Sequence, residues 1–215
     1  MNYRPKSVAQ FDWVAPIYDL LSSLVFGRKL QDAQTAFLSD IPDGASVLVV
    51  GGGTGQTLEK LSQLARPKHI LFLDSSARMV SLATERMLNT PIFASIEFRV
   101  GDVMTLESPP SFDVVLTPFL LDLFNEATLR QQLIPTVLSV LKSDGLWLVT
   151  DFVRTPVWWQ KALLWIMICF FRLTAGIGIK QLANWQQELS LAGLLRKRQA
   201  SAVDGMVSTE VWQRT

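Results

Sequence analysis

Between Val47 and Gly55 the chain reads VLVVGGGTG, an aliphatic run broken abruptly by glycines, and no other stretch constrains the fold as tightly. Val47, Leu48, Val49 and Val50 include no turn residue, the pattern of a strand covered on both faces in a parallel sheet. The chain must then bend. Gly51, Gly53 and Gly55 allow the turn and, having no Cβ, let a ligand approach the main chain. Gln56 to Ala65 follows with Leu58, Leu61, Leu64 and Ala65 at helical spacing. The first N–H groups of such a helix can hold a carboxylate or a phosphate.

From Ser46 to Phe152 the predicted order is strand, helix, strand, helix, strand, strand, helix, strand. That alternation implies an α/β fold with a parallel sheet covered by helices on both faces. Breaks at Pro42-Asp43-Gly44 and Ser108-Pro109-Pro110 read as loops inside one domain, and 215 residues suit a single core with an appended segment.

The glycine spacing bears on the ligand. A dinucleotide fingerprint would place its third glycine at position 56, which is Gln56, and no Lys-Ser/Thr pair follows as in a phosphate-binding P-loop. The remaining pattern, G-x-G-x-G before a helix, resembles motif I of the class I, Rossmann-like S-adenosylmethionine-dependent methyltransferases. Further matches follow in the family's order. His69 to Leu73 reads as a second strand ending on Asp74, about 20 residues past the loop, where a carboxylate can accept from both ribose hydroxyls. A dehydrogenase would place one similarly. Ser95 to Val100 leads into Gly101-Asp102-Val103, Phe112 to Thr117 resembles motif IV, and Leu141 to Phe152 resembles the helix-turn-strand often written L-x-P-G-G. Phe11 to Asp19, FDWVAPIYD, is similar to the N-terminal element of the menaquinone and ubiquinone C-methyltransferases.

The resemblance implies a three-layer α/β/α sandwich with a mostly parallel, seven-stranded sheet. It implies one domain over 1–215, with an N-terminal helical cover to about 40 and an apolar helical insertion over about 155–180. S-adenosyl-L-methionine is the implied cofactor. Gly51, Gly52, Gly53 and Gly55 would line its methionine half, Asp74 and Ser75 its ribose, and Asp102 and Val103 its adenine. Thr117 would offer a main-chain carbonyl near the reacting end, and Tyr18 would sit close to the cofactor, although Phe11 to Asp19 reads equally as an aromatic helix on the core. The chain also departs from the pattern. The acidic residue usual two positions before the first glycine is Val49, and Ser143 and Asp144 stand where Pro and Gly are common.

Methyl transfer from a sulfonium asks the protein chiefly to align the reacting atoms and exclude water. Where the acceptor is weakly acidic, a carboxylate can assist proton removal. Asp122, beyond the fourth strand, is the first candidate and Asp151, at the end of the fifth, the second; each is open to the alternative of a helix cap or an arginine partner. His69 falls at the wrong end of its strand, since ligands bind at the carboxyl ends of parallel strands. One His and one Cys, Cys169, cannot assemble a zinc site of the usual kind, so no metal is expected. No G-x-S-x-G elbow is present for serine-based hydrolysis.

The expected acceptor is a small, apolar molecule. Net charge +1 offers no footprint for nucleic acid, and Arg196-Lys197-Arg198 reads as a solvated rim. The chain start shows no apolar core of signal-peptide length, which points to a cytoplasmic protein. Val157 to Ile179 is apolar on every helical face, with Lys161 and Arg172 bracketing its central run. Such a helix must be buried in something. Closure over the sheet, packing in a homodimer, and a lid over an acceptor taken from a membrane surface are compatible readings. A methyltransferase-fold binding module without catalysis, and a nucleotide-dependent oxidoreductase, remain the alternatives for the whole chain.

Overall fold

In the computed structural model, residues 27–88, 90–91, 93–106, 111–174, 179 and 181–214 are described. The central strand β1 (Ser46–Val50) pairs in parallel with β2 (His69–Asp74) on one side and β4 (Phe112–Pro118) on the other. Outside β2 lies β3 (Ser95–Val100), and outside β4 lies β5 (Leu141–Phe152), both parallel to their neighbours. Two antiparallel strands finish the sheet, β6 (Leu194–Ala202) and β7 (Val207–Arg214), in the order β3-β2-β1-β4-β5-β7-β6.

The aliphatic run of β1 is explained by its position. Alternate side chains point to opposite faces, so Val47 and Val49 enter one apolar core and Leu48 and Val50 the other. Helices α2 (Gln56–Leu64) and α3 (Ala77–Met87) cover the first face through Leu58, Leu61, Val80 and Ala83. Facing the second are α4 (Ile134–Val140), reached through a π-helical turn, Leu129–Leu133, and α6 (Trp185–Leu191). Each fully buried aliphatic side chain contributes about 1.5–3 kcal/mol, so both faces hold the strand in register.

β5 begins at Leu141, directly after α4, rather than after a separate turn. Its pairing jumps from Phe112–Leu141 to Val114–Leu146, so Lys142 to Gly145 bulge out of the ladder. Gly145 is required there, because a Cβ would lie 3.0 Å from the Asp113 carbonyl oxygen and 2.6 Å from Leu141 Cδ1. Ser143 and Asp144 are exposed in this bulge and serve it without Pro.

A third apolar cluster lies beyond the end of β5. Here α1 (Lys29–Thr35) and α5 (Trp158–Thr174) meet Phe152, Met206 and Val207. Helix α5 falls within the apolar segment read from the sequence. Its inner face is buried at Gln160, Leu164 and Ile168, four residues apart, but Trp158, Trp165 and Ile166 are exposed on the other side. Among the described residues the helix is covered on one side only.

Candidate functional site

The strand order reverses at β1: the chain runs outward from β1 to β2 and β3, then returns to place β4 on the other side. A crevice opens at the carboxyl ends of the strands beside such a switch point. The β1–β4 ladder ends at Val49–Leu116, and the glycine loop starts one residue after β1 ends.

Gly51 donates its N–H to the Leu73 carbonyl at 2.9 Å, fixing the loop to the end of β2. Its φ of +67° and the +57° of Gly53 lie in the left-handed region, where an L side chain is strained. Packing also constrains Gly52 and Gly55, the latter itself left-handed at φ +83°. A Cβ on Gly52 would stand 2.3 Å from Phe72 Cε2, and one on Gly55 would stand 2.9 Å from Ala83 Cα, where α2 and α3 touch. Gly53 alone of the four would meet nothing within 4 Å. The loop is therefore closed toward the core and open at Gly53.

Asp74 faces the same loop. One carboxylate oxygen accepts from Gly53 N–H at 3.1 Å and the other from Ser76 N–H at 2.9 Å. Asp74 thus ties the glycine loop to the turn after β2. Ser75 is half-buried beside it, and Ser76 caps α3 by accepting from Met79 N–H. At the end of β3, Asp102 Oδ1 accepts from Met104 N–H at 2.9 Å, and Val103 is buried under this short turn. Thr117 is fully buried at the end of β4, its Oγ1 accepting from Trp147 Nε1 at 2.9 Å. The four glycines, Asp74, Ser75, Asp102, Val103 and Thr117 thus stand at the carboxyl ends of four adjacent strands. His69 stands at the opposite end, at the start of β2. Tyr18 and the Phe11 to Asp19 element lie outside the described residues.

Val49 has no exposed surface and packs in the core with Phe72 and Leu58. A carboxylate at that point would be desolvated among apolar side chains. The missing acid is replaced by core packing.

Asp122 and Asp151 are brought together. Asp151, at the end of β5, is wholly buried and accepts from Leu121 N–H at 2.7 Å, Asp122 N–H at 3.3 Å and Phe152 N–H at 2.7 Å. It caps the 3₁₀ turn Leu121–Leu123, which carries Asp122. Burial pushes the Asp122 carboxyl up to about 7, against its hydrogen bond with Asp151. Burial first, then the charge of Asp122, push Asp151 well above the usual carboxyl range, against its three main-chain donors. Two close carboxyls out of water retain a proton between them near neutrality.

Three features were not read from the sequence. Leu120 lies against the glycine loop, 3.0 Å from where a Gly51 Cβ would be. Phe119, before it, has φ +50°, a left-handed backbone that costs an aromatic residue strain. The third is a narrow apolar cavity of about 20 Å³ between the Asp122 turn and α5, lined by Leu123, Phe152, Leu164, Met167 and Ile168 among others. Among the described residues Asp122 is its one polar lining residue. Leu164 and Ile168 at i and i+4 were a legible signal for the cavity wall; the left-handed Phe119 had none.

A family described as a methyltransferase domain matches residues 47–145. The ubiquinone/menaquinone biosynthesis C-methyltransferase UbiE of Pseudomonas entomophila (strain L48) is 32% identical over 158 residues, covering 71% of this chain and 60% of that protein. UbiE of Pseudomonas fluorescens (strain SBW25) matches with the same identity and coverage. The chain therefore spans less than two thirds of the length of the curated relatives it matches. Among solved structures, the mitomycin 7-O-methyltransferase has a TM-score of 0.70 at 18% identity, over 98% of this chain and 61% of its own. The Burkholderia thailandensis 1,6-didemethyltoxoflavin-N1-methyltransferase, solved with S-adenosylhomocysteine, has a TM-score of 0.65 at 12% identity, over 97% of this chain and 88% of its own. Both carry the same fold. With its glycine loop at the switch point and these likenesses, the chain carries a methyltransferase domain over residues 47–145 on the class I, Rossmann-like fold and is similar to the ubiquinone/menaquinone C-methyltransferases.

Proposed function

We propose that this chain transfers a methyl group from S-adenosylmethionine to a small, apolar acceptor held between the glycine loop and the cavity under α5. One observation carries the reading: Leu120 touches the glycine loop, and two residues later Asp122 lines the apolar cavity. The cofactor crevice and the cavity therefore share one short loop as a wall.

Bound there, S-adenosylmethionine supplies a methyl group already activated on a sulfonium. The chain's own residues do the rest. Gly51, Gly52, Gly53 and Gly55 shape the main chain for the methionine half, with Gly53 open to it. Asp74, with Ser75 beside it, receives the ribose hydroxyls; Asp102 and Val103 flank the adenine, and Thr117 marks the floor between β1 and β4. Apolar side chains exclude water from the acceptor. Asp122 Oδ1 is buried with no hydrogen-bond partner among the described residues, an uncompensated acceptor in an apolar wall. It is placed to take a hydrogen bond, and then a proton, from an acidic group on the acceptor, while Asp151 holds its turn in position.

The experiment is calorimetric titration with S-adenosylhomocysteine, followed by transfer of labelled methyl to small phenolic or quinol acceptors. Micromolar binding that weakens about 5- to 150-fold in Asp74→Ala matches a loss of about 1–3 kcal/mol from unpaired hydroxyls. Absence of binding in the wild-type chain defeats the proposal. A second reading, a fold kept for binding without turnover, is favoured by Val49 in place of an acid. Tight S-adenosylhomocysteine binding with no transfer to any acceptor would select it.

A further inference from the structure

Among the described residues, nothing covers the outer face of α5. Trp158 is 78% exposed, Trp165 63% and Ile166 58%, and Lys161 and Arg172 are exposed on the same helix. From Thr155 to Thr174 there is no Asp or Glu, and among the described residues neither cation is in an ion pair. A helix on an ordinary water-facing surface has polar residues on its outer side. This one presents tryptophans and unpaired positive charge.

We infer that the outer face of α5 docks on an anionic membrane surface, with the helix lying in the plane of the interface. Charge complementarity selects the occupant. Lys161 and Arg172 suit anionic headgroups, whereas a second copy packed on the same face by a two-fold axis would set these cations together without an acid on either helix. The aromatic residues agree, since an indole has an apolar body and one N–H that needs a polar neighbour, the requirement met at headgroup depth. Among the described residues no helix is long and apolar enough to cross a membrane. An interfacial position is the remaining way for lipid to cover this face.

The same helix walls the cavity with Leu164, Met167 and Ile168 on its other side. Resting on the function proposed above, docking would hold the acceptor cavity about one helix diameter, roughly 10 Å, from the lipid. An apolar acceptor then moves from bilayer to cavity with little exposure to water.

Co-sedimentation of the full chain with phosphatidylglycerol/phosphatidylcholine vesicles, against pure phosphatidylcholine, tests the docking. The bound fraction should be about tenfold higher on the anionic vesicles and fall in about 0.5 M NaCl. It should be lost in W158S/W165S/I166S and reduced in K161E/R172E, both with unchanged circular dichroism. No binding to anionic vesicles, or equal binding by the triple serine variant, overturns the inference. So does a concentration-dependent dimer that the same variant abolishes, which would make a second copy the occupant. S-adenosylhomocysteine affinity measured on the same samples keeps the two proposals apart: vesicle binding without ligand binding defeats the methyltransferase reading alone, and the converse defeats the docking alone.

Discussion

Adjacent glycines in the loop do different work, so their substitutions should separate. In Gly52→Ala the new methyl meets the Phe72 ring and Val49, and overpacking of this kind costs about 1–3 kcal/mol. Gly53→Ala meets no atom and carries only the left-handed backbone cost of about 1–2 kcal/mol, but its methyl enters the open side of the loop. We expect Gly52→Ala to act mainly on the melting temperature, and Gly53→Ala to weaken S-adenosylhomocysteine binding about tenfold, or about 1.4 kcal/mol, by calorimetry. The buried carboxyls make a prediction in pH. Because folding raises Asp122 from the ordinary value near 4 to about 7, the native state binds more protons than the unfolded state in that window. Stability therefore falls as pH rises from about 4 through about 7, and Asp151, raised in the same direction, adds to the fall. Urea denaturation at several pH values should show the slope in the wild type and a weaker one in Asp122→Asn. If Asp122 accepts the acceptor's proton, kcat/KM should rise with pH through about 7, and Asp122→Asn should lose about 100-fold and the rise. These residues were legible in the sequence to unequal degrees. Gly51, Asp74 and Asp102 declared themselves by their order after apolar runs, whereas the shared proton of Asp122 and Asp151 did not, because it depends on two strand ends that are 29 residues apart meeting in the fold.

Elements were legible where periodicity was strong. The alternation from β1 to β5 was read correctly because β1, β2 and β4 are buried apolar runs and the helices between them have an apolar stripe facing the sheet. The start of β5 was misread, since Lys142 to Gly145 carry turn residues but belong to a strand with a bulge. The apolar segment after β5 was expected to be buried in something, and its pattern could not show which face the fold would cover. Substitutions along α5 should reveal the two faces. Leu164 is 6% exposed, so Leu164→Ala should cost about 2–5 kcal/mol, while Trp165→Ser on the outer face should stay within about 0.5 kcal/mol. Denaturant midpoints at constant slope would check the pair. Equal costs would mean that the outer face is packed in solution. The edge strand β6 gives the contrasting case, because Arg196, Lys197 and Arg198 keep a sheet edge in water. Arg196 pairs with buried Glu210, and Arg198 lies over the Phe37 ring at 4.6 Å from its centre, so the expected solvated rim also holds the sheet.

On the scale of the whole molecule, one crevice couples the two halves of the sheet. A ligand that binds only the folded state should stabilise it by about 2.7 kcal/mol at a hundredfold excess over Kd. S-adenosylhomocysteine should therefore raise the melting temperature of the wild-type chain and much less that of Asp74→Ala, which differential scanning fluorimetry would show. Hydrogen exchange should slow most at Gly51 to Gly55 and in the turn after β3. The sequence by itself determined the layers, the strand that ends in glycines and the side of the sheet on which a ligand would sit, because apolar period and chain connectivity are local properties. Only the tertiary structure decided that Val49 is core, that Asp151 caps the turn bearing Asp122, and that α5 covers a cavity with one face while offering tryptophans with the other. Burial and proton affinity are set by neighbours distant in the chain, and no spacing along it records which of them arrive.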